Sequence, residues 1–373
     1  MNVALAHDHL NQAGGAERVL KVLADCYPDA PIYTLLHDAR ALEGMFDKAR
    51  IRTSFLGELP FSRSVFKFLL PLMPAAVETL RFGEPDCIIT SASALIKGVV
   101  TSPKTLHICY CHTPTRYLWS DAHQYLEELH YPRFFKRLIP LVLSRLRMWD
   151  WHAAQHVDRF VANSNFVAAR IRKYYHREAT VIYPPVDVQA YVQDALPTER
   201  GNYFVLIARL RPYKRIDLAV TAFTKMNIPL VIIGTGEEEL RLRARSQDNI
   251  TFVGAVSEAE KRQWLAGARA LIHPQEEDFG ITAVEAMAAG RPVIAYSAGG
   301  ALETVIPNLT GVLFDEQCWE GLADAMIRFD DTQFDPAKIR AHASQFSQER
   351  FVREFSLFVD RSWKEFQQGK GRV

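Results

Sequence analysis

At 373 residues the chain is too long for one ordinary hydrophobic core, so two domains are the default. Its composition, 48% hydrophobic and 23% charged, is that of a globular protein, and a net charge of +1 offers no global field for nucleic acid.

The chain opens on a strand-like run at 3–6, with no basic segment followed by an apolar stretch, so no secretory signal is expected. His7 and His9 flank Asp8 at its end. Gly14-Gly15-Ala16-Glu17-Arg18 then opens a helix predicted over 16–26. Glycines there let a ligand approach the backbone and the helix N-terminus closely, and they serve an ordinary turn equally well. Further strands are predicted at 87–90, 106–111, 159–162 and 179–182. His112 ends the second of these, in Cys-His-Thr-Pro-Thr-Arg-Tyr-Leu-Trp. A polar, aromatic segment at a strand's C-terminal end can line a binding site, although a lone histidine is more often structural. Cys109-x-Cys111 reads as strand packing before metal binding. With Cys26, Cys87 and Cys318 these make an odd, scattered set of thiols, as in a reduced, cytosolic protein.

Segments 61–82 and 131–149 mix Arg63, Lys67, Arg133, Lys136, Arg137, Arg145 and Arg147 with aromatic and aliphatic residues. They suit an anionic membrane surface as well as core helices with solvated cations. The longest apolar stretches, 69–77 and 138–143, contain prolines and fall short of the roughly 18 residues a spanning helix needs.

Tyr183-Pro184-Pro185-Val186-Asp187 reads as an extended connector, followed by a polar stretch at 193–202. Beyond it, strands at 204–208, 230–234, 250–253, 270–273, 292–295 and 312–314 alternate with helices at 216–226, 237–245, 257–266 and 318–329. Such alternation predicts a parallel sheet wound with helical crossovers. It is clean after Tyr203 and less regular before. In the tail, 347–368, Phe351, Phe355, Phe358, Val359, Trp363 and Phe366 recur at helical spacing, so this helix must pack on something.

Two segments carry most of the chemistry. After the strand ending at Ala208, Arg209-Leu210-Arg211-Pro212-Tyr213-Lys214-Arg215 places four cations in seven residues. Ligands of open α/β sheets bind at that end of the strands, and clustered cations there suit a diphosphate. Then His273 to Gly290 reads HPQEEDFGITAVEAMAAG: a strand, a glycine loop and a helix start, with Glu277 and Glu285 eight positions apart. Helix N–H groups suit an anion and carboxylates suit hydroxyls, which together suggest a ligand that is part phosphate and part sugar. Ile233-Gly234-Thr235-Gly236 lacks the spacing of a dinucleotide fingerprint and reads as a neighbouring loop. No two aspartates stand at D-x-D spacing to hold a cation against a diphosphate, so neutralisation falls to Arg209, Lys214 and backbone N–H groups.

With these motifs in order, the chain resembles the family-four retaining glycosyltransferases of GT-B fold. GGAE, RLRPYKRIDLA and Glu277-x7-Glu285 carry the likeness over most of the length, and CHTPTRYLW, YKRIDLAV and QEEDFGI are most similar to mannosyltransferase-type members that build bacterial surface polysaccharide. The resemblance implies an α/β protein with two Rossmann-like domains facing a central cleft and a C-terminal helix crossing back to the first. The expected division is an acceptor-binding domain, 1–184 plus about 350–373, and a nucleotide-sugar domain, 185–349.

By the match, Glu285 would bind the nucleotide ribose, and Glu277 with the N–H groups of Phe279, Gly280 and Ile281 would hold the donor sugar. Arg209 and Lys214 would bind the diphosphate, Val256 would lie near the base, and Gly14 and Gly15 would approach the phosphates. His112 would line the reactive face. The implied reaction is hexose transfer, with mannose from GDP-mannose as the expected donor, to a hydroxyl of a glycan or lipid-linked glycan. It would proceed with retention, without cofactor or metal, and with closure of the domains. The expected setting is cytoplasmic, with peripheral contact on the inner face of the membrane and no nucleic-acid partner. A UDP-sugar donor is the alternative within the family. A nucleotide-sugar epimerase, a glycogen-phosphorylase-like enzyme and a non-catalytic nucleotide-sugar-binding subunit are the rivals outside it.

Overall fold

The computed structural model describes residues 1–42, 44–59, 66–123, 126, 133–193 and 201–369, with only the backbone for 66–68, 133–137 and 193. The chain divides into two compact units, Met1–Pro185 with Phe351–Val373, and Val186–Arg350.

The first unit holds a seven-stranded parallel sheet in the order β3-β2-β1-β4-β5-β6-β7. Its strands are β1 (Val3–Leu10), β2 (Ile32–His37), β3 (Ile51–Thr53), β4 (Cys87–Ala92), β5 (Leu106–Cys111), β6 (Arg159–Ala162) and β7 (Ala179–Val181). The central strands β4 and β5 are buried at every residue and are mostly apolar, with Thr90 of β4 hydrogen-bonded to His107 of β5. Alternate residues feed two cores, one per face: Ala4, Ala6, Ile88, Cys109 and Cys111 on one side, Val3, Leu5, Ile89, Ile108 and Tyr110 on the other. Cys109 and Cys111 are thus packing residues and carry no disulfide.

Helix α1 (Gly15–Cys26) covers one face together with the C-terminal helix Gln348–Gln367, whose Phe351, Phe355 and Val359 join that core. Tyr110 ties the layers: its ring meets Phe351 edge-on at 5.7 Å and its hydroxyl donates to Ile182 O at 3.0 Å. The other face is covered by α2 (Arg133–His156), through Leu143, Leu146 and Ala154, and α3 (Asn165–Tyr175), through Val167, Ile171 and Tyr175.

Beneath that layer lies a buried charge pair. Lys97 donates to Asp150, and the same carboxylate accepts from Thr115 Oγ1, Trp119 Nε1 and Tyr175 OH, each at 2.8 Å. Lys97 also donates to Ala94 O at 2.6 Å. This satisfied network moors the segment that follows His112.

The second unit holds a six-stranded parallel sheet in the order β10-β9-β8-β11-β12-β13. The strands are β8 (Phe204–Ile207), β9 (Leu230–Ile233), β10 (Ile250–Gly254), β11 (Leu271–His273), β12 (Val293–Tyr296) and β13 (Gly311–Phe314). Its crossovers include α4 (Ile216–Met226), α5 (Glu258–Gly267) and α6 (Ile281–Ala288). In both sheets the chain winds outward for three strands and then returns to the other side of the first. That places a topological switch point between β1 and β4 in one unit and between β8 and β11 in the other.

Candidate active site

In the second unit, β8 and β11 are adjacent, with Leu271 opposite Val205, so the cationic loop after β8 and the acidic loop after β11 leave the sheet side by side. Glycines let the flanking loops close on each other. A Cβ on Gly234 would stand 2.0 Å from Ala208 O, and one on Gly236 2.3 Å from Leu210 O. Lys214, 63 residues from Glu277 in sequence, donates directly to its carboxylate, and it lies 5.0 Å from the centroid of the Tyr213 ring. Arg211 is committed to Glu237, and Arg215 to Asp217 and Gln317. Arg209 is exposed, with Tyr213 OH 3.5 Å from its guanidinium.

Burial alone would raise the pKa of Glu277. The Lys214 charge, then His273 and the hydrogen bonds from Lys214 and Gln275, overcome that and hold it at about 2. Glu277 is therefore an anion throughout the physiological range. His273, buried beneath it, is lowered to about 4: burial dominates, and the attraction of Glu277 does not offset it.

The Phe279–Gly280 step depends on backbone geometry. Gly280 is the N-cap of α6 with φ 87°, a left-handed conformation that disfavours any side chain. The loop rests on a second glycine pair that the sequence reading passed over. Gly300 N–H donates to Glu277 O at 2.8 Å, and a Cβ there would lie 2.4 Å from Phe279 Cα. Phe279 is itself buried against Phe346 at 5.6 Å, so its backbone rather than its ring is the part suited to a ligand.

Glu285, one turn into α6, is buried and accepts from Lys261 Nζ at 2.9 Å; Lys261 also reaches Glu258 at 2.7 Å. Lys261 carries no motif that marks it in the sequence. Its signal is positional: it stands four residues before the buried Leu265, on the inward face of α5. Val256 is half-buried, just beyond Gly254 and before the Ser257 cap of α5.

In the first unit the corresponding strand ends bring together His7, Ser91 and His112. Ser91 Oγ lies 2.8 Å from His112 Nε2 and 3.1 Å from His7 Nδ1. His7 Nε2 is 3.7 Å from Glu17, the acid that opens α1. Burial first, then His7, lowers His112 to about 3 against the pull of Glu17 and Asp8, so its imidazole is neutral at physiological pH. Asp8 shapes the surrounding loop by accepting from the N–H groups of Ser93, Ala94 and Ile96. At Gly14 the expectation narrows. Its N–H donates to Glu17 Oε2 at 2.9 Å, and a Cβ there would stand 2.7 Å from that oxygen. Gly14 therefore lets Glu17 fold back as a cap, and its amide already has a partner, so contact with an anion there would fall to the amides beyond it, from Gly15 on.

Known proteins place the chain in a family. The family described as "Glycosyltransferase Family 4" matches residues 13–190, and "Glycosyl transferases group 1" matches residues 187–349. A curated relative, "GDP-Man:Man(3)GlcNAc(2)-PP-Dol alpha-1,2-mannosyltransferase" of Mus musculus, is 25% identical over 96% of this chain and 86% of its own length. The "GDP-mannose-dependent alpha-mannosyltransferase" of Mycolicibacterium smegmatis is 31% identical, over 46% of this chain and 48% of its own. Among solved structures, HepE of Anabaena in complex with UDP superposes with a TM-score of 0.73 at 19% identity, covering 97% of this chain and 100% of that one. The chain belongs to the family-four glycosyltransferases, and its fold is GT-B, with two parallel-sheet Rossmann-like units. It is a retaining, metal-independent glycosyltransferase.

Proposed function

We propose that the enzyme transfers mannose from GDP-mannose to a hydroxyl of a glycan or lipid-linked glycan in surface-polysaccharide synthesis. The second unit would bind the donor and the first the acceptor. The observation that carries the donor half is the Lys214–Glu277 contact at the β8/β11 switch point, beside the Phe279–Ile281 amides at the start of α6. Cation and helix amides suit a diphosphate, while Glu277, ionised and fixed, suits the hydroxyls of a hexose. The mannose reading is supported by the relatives named above; the complex of HepE supports UDP as the competing nucleotide.

In this reading the bond from the sugar anomeric carbon to the β-phosphate oxygen breaks as the acceptor oxygen bonds to the same face. The leaving phosphate takes the acceptor's proton. Lys214 and Arg209 stabilise charge growing on that phosphate, and no enzymic nucleophile is needed. Lys214, already paired with Glu277, can hold that carboxylate and a donor phosphate together. His112, neutral, contributes a hydrogen bond rather than a charge on the reacting face.

The test is thermal stabilisation by GDP, UDP and ADP without metal, with Glu285→Gln as control because Gln still accepts from Lys261. Stabilisation by GDP above the other two, lost in the variant, supports the site and the mannose donor. Preference for UDP discards the mannose donor, and no response to any nucleotide discards the site.

For the acceptor side we propose peripheral contact with anionic membrane. No helix among the described residues is long and apolar enough to cross a membrane. On α2, however, Leu138, Leu141, Arg145 and Met148 are all exposed at helical spacing. Arg147 does not belong to that face: it donates to Leu118 O at 2.5 Å and packs over Trp119. Arg63 lies outside the described residues, as do the side chains of Lys67, Arg133, Lys136 and Arg137. Failure to sediment with phosphatidylserine vesicles at low salt would refute membrane contact.

A further inference from the structure

Between β11 and Glu277 lies a chain of hydrogen bonds that the donor site described so far does not use. Gln275 Nε2 is 3.2 Å from Glu277 Oε1 and 3.3 Å from His273 Nδ1. The protons in this chain can be deduced. An ionised carboxylate only accepts, so the Gln275 amide must present its NH2 to Glu277. That orientation turns its second N–H toward His273 Nδ1, which must then accept. A neutral imidazole accepting at Nδ1 carries its proton on Nε2. That Nε2 is buried, has no partner among the described residues, and lies 3.4 Å from where a Cβ of Gly280 would stand.

We propose that His273 and Gln275 are positioning residues for Glu277. The histidine holds the amide, and the amide holds the carboxylate oxygen that Lys214 also contacts. A histidine serving the core alone would be satisfied at both edges. His273 is tied only at the edge facing Gln275, while its other nitrogen backs onto the loop that caps α6. The Gln275 Oε1 atom is likewise buried and unpartnered among the described residues. Three residues at alternate positions, 273, 275 and 277, thus run from strand to site as one relay, with Pro274 and Glu276 between them. The consequence for the donor hexose rests on the function proposed above; the relay itself does not.

The closing experiment has two arms on the full chain. The first is nitrogen-15 NMR of the histidines, with His273 assigned by its loss in His273→Phe. The wild type should show the His273 proton on Nε2 and an Nδ1 resonance displaced by an accepted hydrogen bond, and Gln275→Met should return that Nδ1 resonance to its unbonded position. A proton on Nδ1, or an Nδ1 resonance unchanged in Gln275→Met, overturns the relay whatever the enzyme's substrate. The second arm measures GDP affinity and GDP-mannose turnover, where failure of the wild type to bind GDP would indict the donor reading instead. With GDP affinity within about twofold, Gln275→Met should lower kcat by roughly tenfold to 10²-fold, the scale of a misplaced binding group, and shift the acid limb of kcat/KM upward. Wild-type kcat and an unmoved acid limb in Gln275→Met would overturn the positioning role.

Discussion

At the β1/β4 crossover the converging groups, His7, Ser91 and His112, form a line of hydrogen bonds in which burial keeps His112 neutral. At the β8/β11 crossover Lys214 and Glu277 meet as charges, and the same burial is overcome. Both lie where a parallel sheet reverses its direction of winding, with the first unit drawing in His112 from the end of β5 as well. What differs is whether a counter-ion is in direct contact. For His112, burial and then His7 outweigh the pull of Glu17 and Asp8, and the imidazole loses its proton; Glu277, with Lys214 against it, keeps its charge. One topology thereby holds a neutral imidazole in one unit and an anion–cation pair in the other.

The comparison extends to buried ion pairs: among the described residues, Lys97 pairs with Asp150 in the first unit and Lys261 with Glu285 in the second. Asp150→Ala should be the most damaging change, because Lys97 would remain buried with no carboxylate near it. A loss of about 3–5 kcal/mol is expected, read from urea unfolding. Glu285→Ala should cost less, about 1–3 kcal/mol, because Lys261 keeps Glu258 at 2.7 Å. Equal losses would show that the two pairs are not distinguished by their remaining partners.

Lys214→Ala tests the charged site directly. It should lower kcat by roughly 10²-fold while leaving the fold intact, the scale of removing one electrostatic donor. A kcat/KM within about twofold of wild type would remove Lys214 from the reaction. Gly300→Ala should press on Phe279 and displace the Glu277–Gly280 loop. We expect about 1–3 kcal/mol of destabilisation and a raised donor KM with kcat less affected. An unchanged KM would mean that this loop does not touch the donor.

A further contrast is in acid, where the two crossovers should separate. The folded pKa of His112 is about 3 against 6.5 unfolded, so the unfolded state binds more protons between those values and stability falls as pH drops from about 6.5 to 3. Glu277, at about 2 against 4.5, is protonated first in the unfolded state, so its contribution is present above 4.5 and lost from there toward 2. Urea midpoints across pH should show the His112→Gln variant with a shallower fall above pH 4.5, and Lys214→Ala with a shallower fall below it. The same slopes in both variants would refute the assignment of the two windows.

Much of this was legible in the residues. The strand-helix alternation after Tyr203 corresponds to six strands in the second unit, within a residue or two at most ends, since each is a short apolar run bounded by glycine, proline or charge. The first unit was harder. Strands β2 and β3 were passed over because Ile32–His37 and Ile51–Thr53 are short, lie toward the sheet edge and mix polar with apolar residues. Within the site, Arg209, Lys214 and Glu277 stood out as charges following apolar runs, and Glu285 by its eight-residue spacing from Glu277. Lys261, Ser91 and the Gly299–Gly300 turn did not, because their importance lies in what they touch.

Local residue pattern alone implies a parallel α/β fold, an apolar partner for the C-terminal helix, and which loops carry cations, carboxylates and glycines. Those features are local: they follow from periodicity, from the backbone freedom of glycine, and from charge placed at the end of a strand. Only the tertiary structure decided that Lys214 meets Glu277, that Lys261 neutralises Glu285, and that His112 is a neutral partner of Ser91. These depend on which strands are neighbours and on how far water is excluded. Both are set by the order β10-β9-β8-β11-β12-β13 and its counterpart in the first unit, where residues far apart in the chain share one low-dielectric edge.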